Sequence, residues 1–234
     1  MTQINQAADA ADDVLRISID AKATVKVGPF ARGGKSRTLV TAADHDFAPD
    51  ATLTPGGIFL PASDELFIYG VTSKVTRDCL VDRLGQWWAT VRERYAHITT
   101  LVINLDNGPE NHSRRTQFMQ RLVDFVQRYR VNIRLAYYPP YHSKYNPIER
   151  CWGILETHWN GALLDSIEAV LQFARTMTWK GTHPVVELVT TTYQTGVKLT
   201  AEVMDLVEAQ IKRLPLLEKW FVDIGPAPPS LWAS

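Results

Sequence analysis

Two short runs of this chain alternate apolar and polar residues and each stops on an aspartate, and this repeat narrows the folds open to it. In Leu15-Arg16-Ile17-Ser18-Ile19-Asp20 the apolar residues share one face, which leaves Arg16, Ser18 and Asp20 on the other. Leu101, Ile103 and Leu105 likewise face one way, with Val102, Asn104 and Asp106 opposite and the acid again last. The pattern predicts a half-buried strand at residues 15–20 and a second strand at 99–106. Further strands are predicted at residues 24–27, 65–70 and 131–136, and helices at 74–95, 113–129 and 146–159. The resulting order, β-β-β-α-β-α-β-α, calls for an α/β fold with a mixed sheet flanked by helices. The Asp, Pro and Gly clusters of residues 41–57 read as a loop, and Tyr137-Tyr138-Pro139-Pro140-Tyr141 as a stiff extended segment. Residues 161–213 read as mostly helical, with helices at 167–179, 184–193 and 200–214, before a Pro-rich tail at 225–234. The predicted organisation is therefore a short N-terminal segment (1–14), an α/β domain (15–160) and a helical C-terminal extension with its tail (161–234).

If the strands ending in Asp20 and Asp106 are parallel neighbours, their carboxylates meet at one sheet edge, where open α/β sheets place ligands. Each acid also has a plainer reading as the first residue of a turn. The third candidate is Glu149. Asn146-Pro147-Ile148-Glu149 reads as N-cap, N1, N2 and N3, so Glu149 could close a capping box on Asn146 or reach the two sheet acids. Three carboxylates on separate elements suit two Mg²⁺ ions, which take oxygen ligands and serve phosphodiester chemistry. Trp152, Leu155 and Trp159 recur at the spacing of a buried helix face, and Trp87-Trp88 read as core.

Charge and cysteine content add limits. Among the 234 residues, 25 Lys and Arg balance 25 Asp and Glu, so no general basic excess marks a nucleic-acid binder. Basic residues are instead clustered. Lys22, Lys26, Arg32, Lys35 and Arg37 lie in an acid-free stretch, and Arg114, Arg115, Arg121, Arg128, Arg130 and Arg134 enclose only Asp124. Either cluster can contact phosphates or form a solvated face. His112 and His142 lie near the acids in sequence and read as DNA contacts, proton-transfer groups or structural residues. Two cysteines, Cys79 and Cys151, are too few for a disulfide scaffold, and no apolar run is long enough to span a membrane. A cytoplasmic protein is expected.

The segment Tyr138-Pro139-Pro140-Tyr141-His142-Ser143-Lys144-Tyr145-Asn146-Pro147-Ile148-Glu149-Arg150 resembles the Pro-Pro-Tyr…Asn-Pro-Ile-Glu segment of mariner-like DDE transposases. Leu105-Asp106-Asn107-Gly108-Pro109-Glu110-Asn111-His112 is similar to that group's Asp-Asn-Gly segment, and Ile19-Asp20-Ala21-Lys22 fits its first acid less specifically. The likeness runs from about residue 15 to 224 and is strongest to transposases of bacterial insertion sequences. It implies an RNase H-like fold with Asp20, Asp106 and Glu149 as a metal-binding triad, separated by 85 and 42 residues. It also implies Mg²⁺ or Mn²⁺, as two ions, in DNA strand cleavage and strand transfer. Transposon ends and target DNA are the implied partners, with a homo-oligomer as the active form and no membrane. Weak DNA contacts are expected from Lys22, Lys35, Arg114, Arg115, His142, Lys144 and Arg150. The 19 residues before Asp20 are too few for the helix-turn-helix such transposases carry, so the expectation is a catalytic portion without that region. The alternatives are a catalytically silent remnant that binds DNA or dimerises with an intact transposase, and a generic RNase H-like nuclease.

Overall fold

The run at residues 15–20 lies in a strand whose apolar face is buried and whose other face carries buried Ser18 between partly buried Arg16 and Asp20. The computed structural model describes residues 1–30, 48–106, 116–139, 142–193 and 199–226. In chain order these form α1 (Thr2–Ala10), β1 (Val14–Ala21), β2 (Val25–Val27), β3 (Ala51–Leu60), β4 (Glu65–Val71), α2 (Arg77–Val91), β5 (Thr100–Asp106) and α3 (Thr116–Tyr129). Then come β6 (Asn132–Tyr138), a 3-10 turn (Ser143–Tyr145), α4 (Ile148–His158), α5 (Ile167–Thr176), β7 (Val185–Val189), α6 (Ala201–Glu208), β8 (Ile211–Arg213) and β9 (Phe221–Ile224). From β1 to α4 this is the expected mixed α/β order with one further strand.

The chain forms two compact units, one from residues 1–18, 76–146 and 193–234, the other from 19–75 and 147–192. In the first, β1 runs parallel to β5 in a register from Val14↔Thr100 to Ser18↔Asn104. β5 runs parallel to β6, which pairs antiparallel with β9, and β9 with β8. Crossovers between parallel strands need helices, and α3 links β5 to β6 in this way. The buried stripe of α2 (Cys79, Leu84, Trp87, Trp88, Val91) and that of α3 (Met119, Leu122, Val126) supply apolar core. Tyr129 on α3 donates from its hydroxyl to the Gly85 carbonyl on α2 at 3.2 Å. A smaller cluster joins Ala8 of α1 to Val102, Ala136 and Phe221.

In the second unit, β3 pairs antiparallel with β4, β4 runs parallel to β7, and β2 pairs antiparallel with β3. Its core gathers Ile148, Trp152, Leu155 and Trp159 of α4 with Val170 and Leu171 of α5, Leu53 and Phe59 of β3, and Ile68 of β4. The predicted apolar face of α4 is thus the one that is buried.

Several expectations are corrected. Residues 51–57, predicted as loop, lie inside β3, while 41–47 fall outside the described residues. The composition misleads because Gly56 and Gly57 are not turn formers here. A Cβ on Gly56 would meet the Tyr69 ring at 2.3 Å, and one on Gly57 would meet Trp152 at 2.9 Å. Tyr137 and Tyr138 belong to β6 rather than to an extended loop. Residues 184–193, predicted as helix, contain β7, whose Val-rich sequence pairs with β4. The helix predicted over 200–214 stops at Glu208, and Ile211–Arg213 and Phe221–Ile224 become strands. The C-terminal extension therefore combines helices α5 and α6 with strands β7, β8 and β9.

Cys79 and Cys151 are both free and buried. Burial pushes the Cys79 thiol up to about 11 and the Cys151 thiol up to about 12. Among the described residues no helix is long and apolar enough to cross a membrane. Leu155 is fully buried in the α4 core. Leu155→Ala should lower stability by about 2–5 kcal/mol, read as a fall in the denaturant midpoint with unchanged slope.

Candidate functional site

Each of the three candidate acids stands at the end of an element. Asp20 is the penultimate residue of β1, Asp106 the last of β5, and Glu149 the second of α4; all three are half-buried. Asp20 and Glu149 belong to the second unit and Asp106 to the first.

The Trp152 indole Nε1 donates to Asp20 Oδ2 at 3.0 Å. Trp152 is three residues beyond Glu149, so the two share one face of α4. The strand end that carries Asp20 is therefore bonded to the helix face that presents Glu149. A second anchor lies two residues on, where Lys22 Nζ pairs with Glu156 Oε2 at 2.6 Å and stands 5.8 Å from the Trp159 ring centroid. Sequence reasoning placed Trp152 in the core alone. It is in the core, at 3% exposure, but its one polar atom reaches an acid.

In the first unit the polar residues that precede the two aspartates are also held. Ser18 Oγ donates to Asn146 Oδ1 at 2.6 Å, with both residues fully buried. Asn146 is thus engaged with a strand, contrary to its predicted role as N-cap. Pro147, with helical φ and ψ of −53° and −36°, stands before the first residue of α4, and no side chain caps it. Glu149 therefore lies one position nearer the helix start than the capping-box reading requires. Asn104, buried opposite Ser18 in the register, accepts from Arg16 Nη1 at 3.1 Å and donates to Asn5 at 3.0 Å. Arg16 is itself bidentate to Asp9, at 2.7 and 2.8 Å. Asn5 continues to the Tyr138 hydroxyl at 3.3 Å, and Tyr138 is the register partner of Asp106. The signal for these residues was present in the sequence as polar side chains inside otherwise apolar strands.

Next to Tyr138, the Tyr137 phenol is buried and has no hydrogen-bond partner among the described residues. Burial pushes its pKa far up; Arg213 opposes this and the negative charge of Asp106 adds to it.

Among the expected DNA contacts, Lys35, Arg114 and Arg115 lie outside the described residues, as do Arg32, Arg37, His112 and Asp44-His45-Asp46. Lys22 is engaged with Glu156 and only 17% exposed in its side chain. His142, Lys144 and Arg150 are exposed. His142 stacks on Tyr145 at 5.8 Å, and Lys144 Nζ lies 5.3 Å from the same ring. Of the second arginine cluster, Arg121 is bonded to Asp78 and Asp82, and Arg134 is bidentate to Asp223 at 2.6 and 2.8 Å. These two charges are consumed within the fold.

The carboxylate oxygens of Asp20, Asp106 and Glu149 are the hard donors that Mg²⁺ and Mn²⁺ accept. Among the described residues no three His, Cys, Asp or Glu side chains are gathered closely enough to hold a metal ion. The oxygen-donor chemistry of the three carboxylates suits such an ion.

A family model described as the Rhodopirellula transposase DDE domain matches residues 1–226. Among solved structures, the Mos1 transposase paired-end complex with left transposon end is similar at a TM-score of 0.49 and 11% identity, over 73% of this chain and 49% of that one. The Mos1 mariner paired-end complex with Mn is similar at a TM-score of 0.45 and 12% identity, over 74% of this chain and 49% of that one. The chain spans about half the length of these solved chains. No curated relative matches it.

Ser18→Ala would remove the donor to buried Asn146. It should destabilise the protein by about 1–3 kcal/mol, measured by urea unfolding, whereas Lys26→Ala at an exposed position should change stability by less than about 0.5 kcal/mol.

Proposed function

Because the chain belongs to the DDE transposase domain family, whose model spans residues 1–226, we propose that it cleaves and joins DNA strands with Asp20, Asp106 and Glu149 as metal-binding acids. The observation that carries this reading is the bond from Trp152 to Asp20, which ties one acid to the helix face of another. In this reading residues 15–160 form the catalytic segment.

Two Mg²⁺ or Mn²⁺ ions, when bound, supply Lewis acidity and an activated attacking oxygen for phosphodiester chemistry. Asp20 and Asp106 at the strand ends and Glu149 in the first turn of α4 would hold such ions through their carboxylate oxygens. In this reading water attacks a phosphodiester of one DNA strand and displaces a 3′-hydroxyl, and that hydroxyl then attacks a target phosphodiester and displaces a target 3′-hydroxyl. His142, Lys144 and Arg150 face solvent beside the start of α4 in sequence and position the phosphate backbone without reading bases. Transposon ends and target DNA are the partners, and a homo-oligomer is the working form. The two buried, free thiols are in keeping with a cytoplasmic setting.

Nicking of supercoiled plasmid should require Mg²⁺ or Mn²⁺ and fall to background in Asp20→Ala, Asp106→Ala and Glu149→Ala, with circular dichroism showing an intact fold for each. Nicking that persists in chelator, or in the triple variant, would place the chemistry elsewhere. DNA binding should be weak and salt-dependent. If about three phosphates are neutralised, affinity should drop about 40-fold between about 50 and 200 mM salt. Fluorescence anisotropy should show Lys144→Ala and Arg150→Ala each lowering the salt slope by about one, equally on all duplex sequences.

A further inference from the structure

Trp152 has the features of a core residue and one feature that the core does not need. Its ring is 3% exposed and packs in the cluster with Ile148, Leu155 and Leu171. Its edge lies against β3 at Gly57, where an added Cβ would stand 2.9 Å from Cη2. Gly57 therefore lets the indole lie closer to the strand than any other residue would. So seated, the ring presents its only polar atom, Nε1–H, to Asp20 Oδ2 at 3.0 Å. A buried indole N–H needs an acceptor, but any backbone carbonyl would serve that need. Here the acceptor is a half-buried carboxylate at a strand end.

We propose that Trp152 is a positioning residue for Asp20: with the ring edge seated against Gly57, its indole N–H fixes the rotation of the Asp20 carboxylate for metal binding. The inference rests on the reading of Asp20 as a metal-binding acid and adds a residue to it. A carboxylate bonded through one oxygen to a rigid donor loses the free rotation that binding an ion would otherwise have to freeze. Partners of this kind, one bond removed from the ion, change metal affinity by about 10–100-fold when removed. Glu149, on the same helix face as Trp152, shares the support, because the helix that aims the indole also presents Glu149.

The test is Mn²⁺ binding by the full chain, followed by electron paramagnetic resonance, in wild type, Trp152→Phe and Asp20→Ala. Trp152→Phe keeps an aromatic ring in the α4 core and removes the N–H. We expect it to weaken Mn²⁺ binding about tenfold or more, and Asp20→Ala to remove the binding contributed by that acid. Wild-type affinity in Trp152→Phe, with Asp20→Ala impaired, would overturn the positioning role and leave the metal-binding reading standing. Equal binding in wild type and Asp20→Ala would overturn both. A second measurement needs no change at position 152. The Trp152 indole N–H resonance, in ¹⁵N-labelled protein, should shift on addition of Mg²⁺ and should move in Asp20→Ala. A resonance indifferent to both would also overturn the proposal, even if Trp152→Phe fails to fold.

Discussion

A strand buried on both faces can carry polar side chains only if each finds a partner, because an unpaired polar group away from water costs about 1–3 kcal/mol. β1 comes near to this, for on its polar face Ser18 is fully buried and Arg16 and Asp20 are partly buried. Arg16 is met by Asp9 and Asn104, Ser18 by Asn146, and Asp20 by Trp152. Each partner comes from a different segment of the chain. The segments that must reach β1 to satisfy it are the N-terminal helix, the β5 strand, the turn before α4 and α4 itself.

Packing then sharpens what pairing allows. Gly56 and Gly57 in β3 leave space for the Tyr69 and Trp152 rings, and the large side chains occupy it. Close-packed interiors transmit such constraints directly, since an extra methyl group has nowhere to go. The indole of Trp152 is therefore held both by shape and by its bond to Asp20. A residue that serves the core in this way also has a consequence for the carboxylate it touches.

The balance of charge is resolved in the same local manner. Arg121 and Arg134 stand in an almost acid-free stretch of sequence, yet acids from α2 and β9 neutralise them. Lys22 is likewise taken by Glu156. The exposed cations near α4 in sequence, Lys144 and Arg150 with His142, are few, which agrees with a zero net charge and with contact to a small number of phosphates.

The ends of β1 and β5, the aspartates closing them and the first-turn position of Glu149 were legible in the sequence, because strand and helix periods are local properties. The buried stripe of α4 was legible for the same reason. β3 was not, since its Pro and Gly residues read as a turn until Tyr69 and Trp152 are seen to fill the space beside them. β7 was not, because a five-residue valine-rich run takes its state from the strand it pairs with. The roles of Asn146 and Trp152 were hidden by distance: their partners lie 128 and 132 residues away. Sequence alone set which residues could bear the chemistry and on which elements they would stand. Only the tertiary structure decided which buried groups hold them, because a hydrogen bond between remote segments leaves no period along the chain.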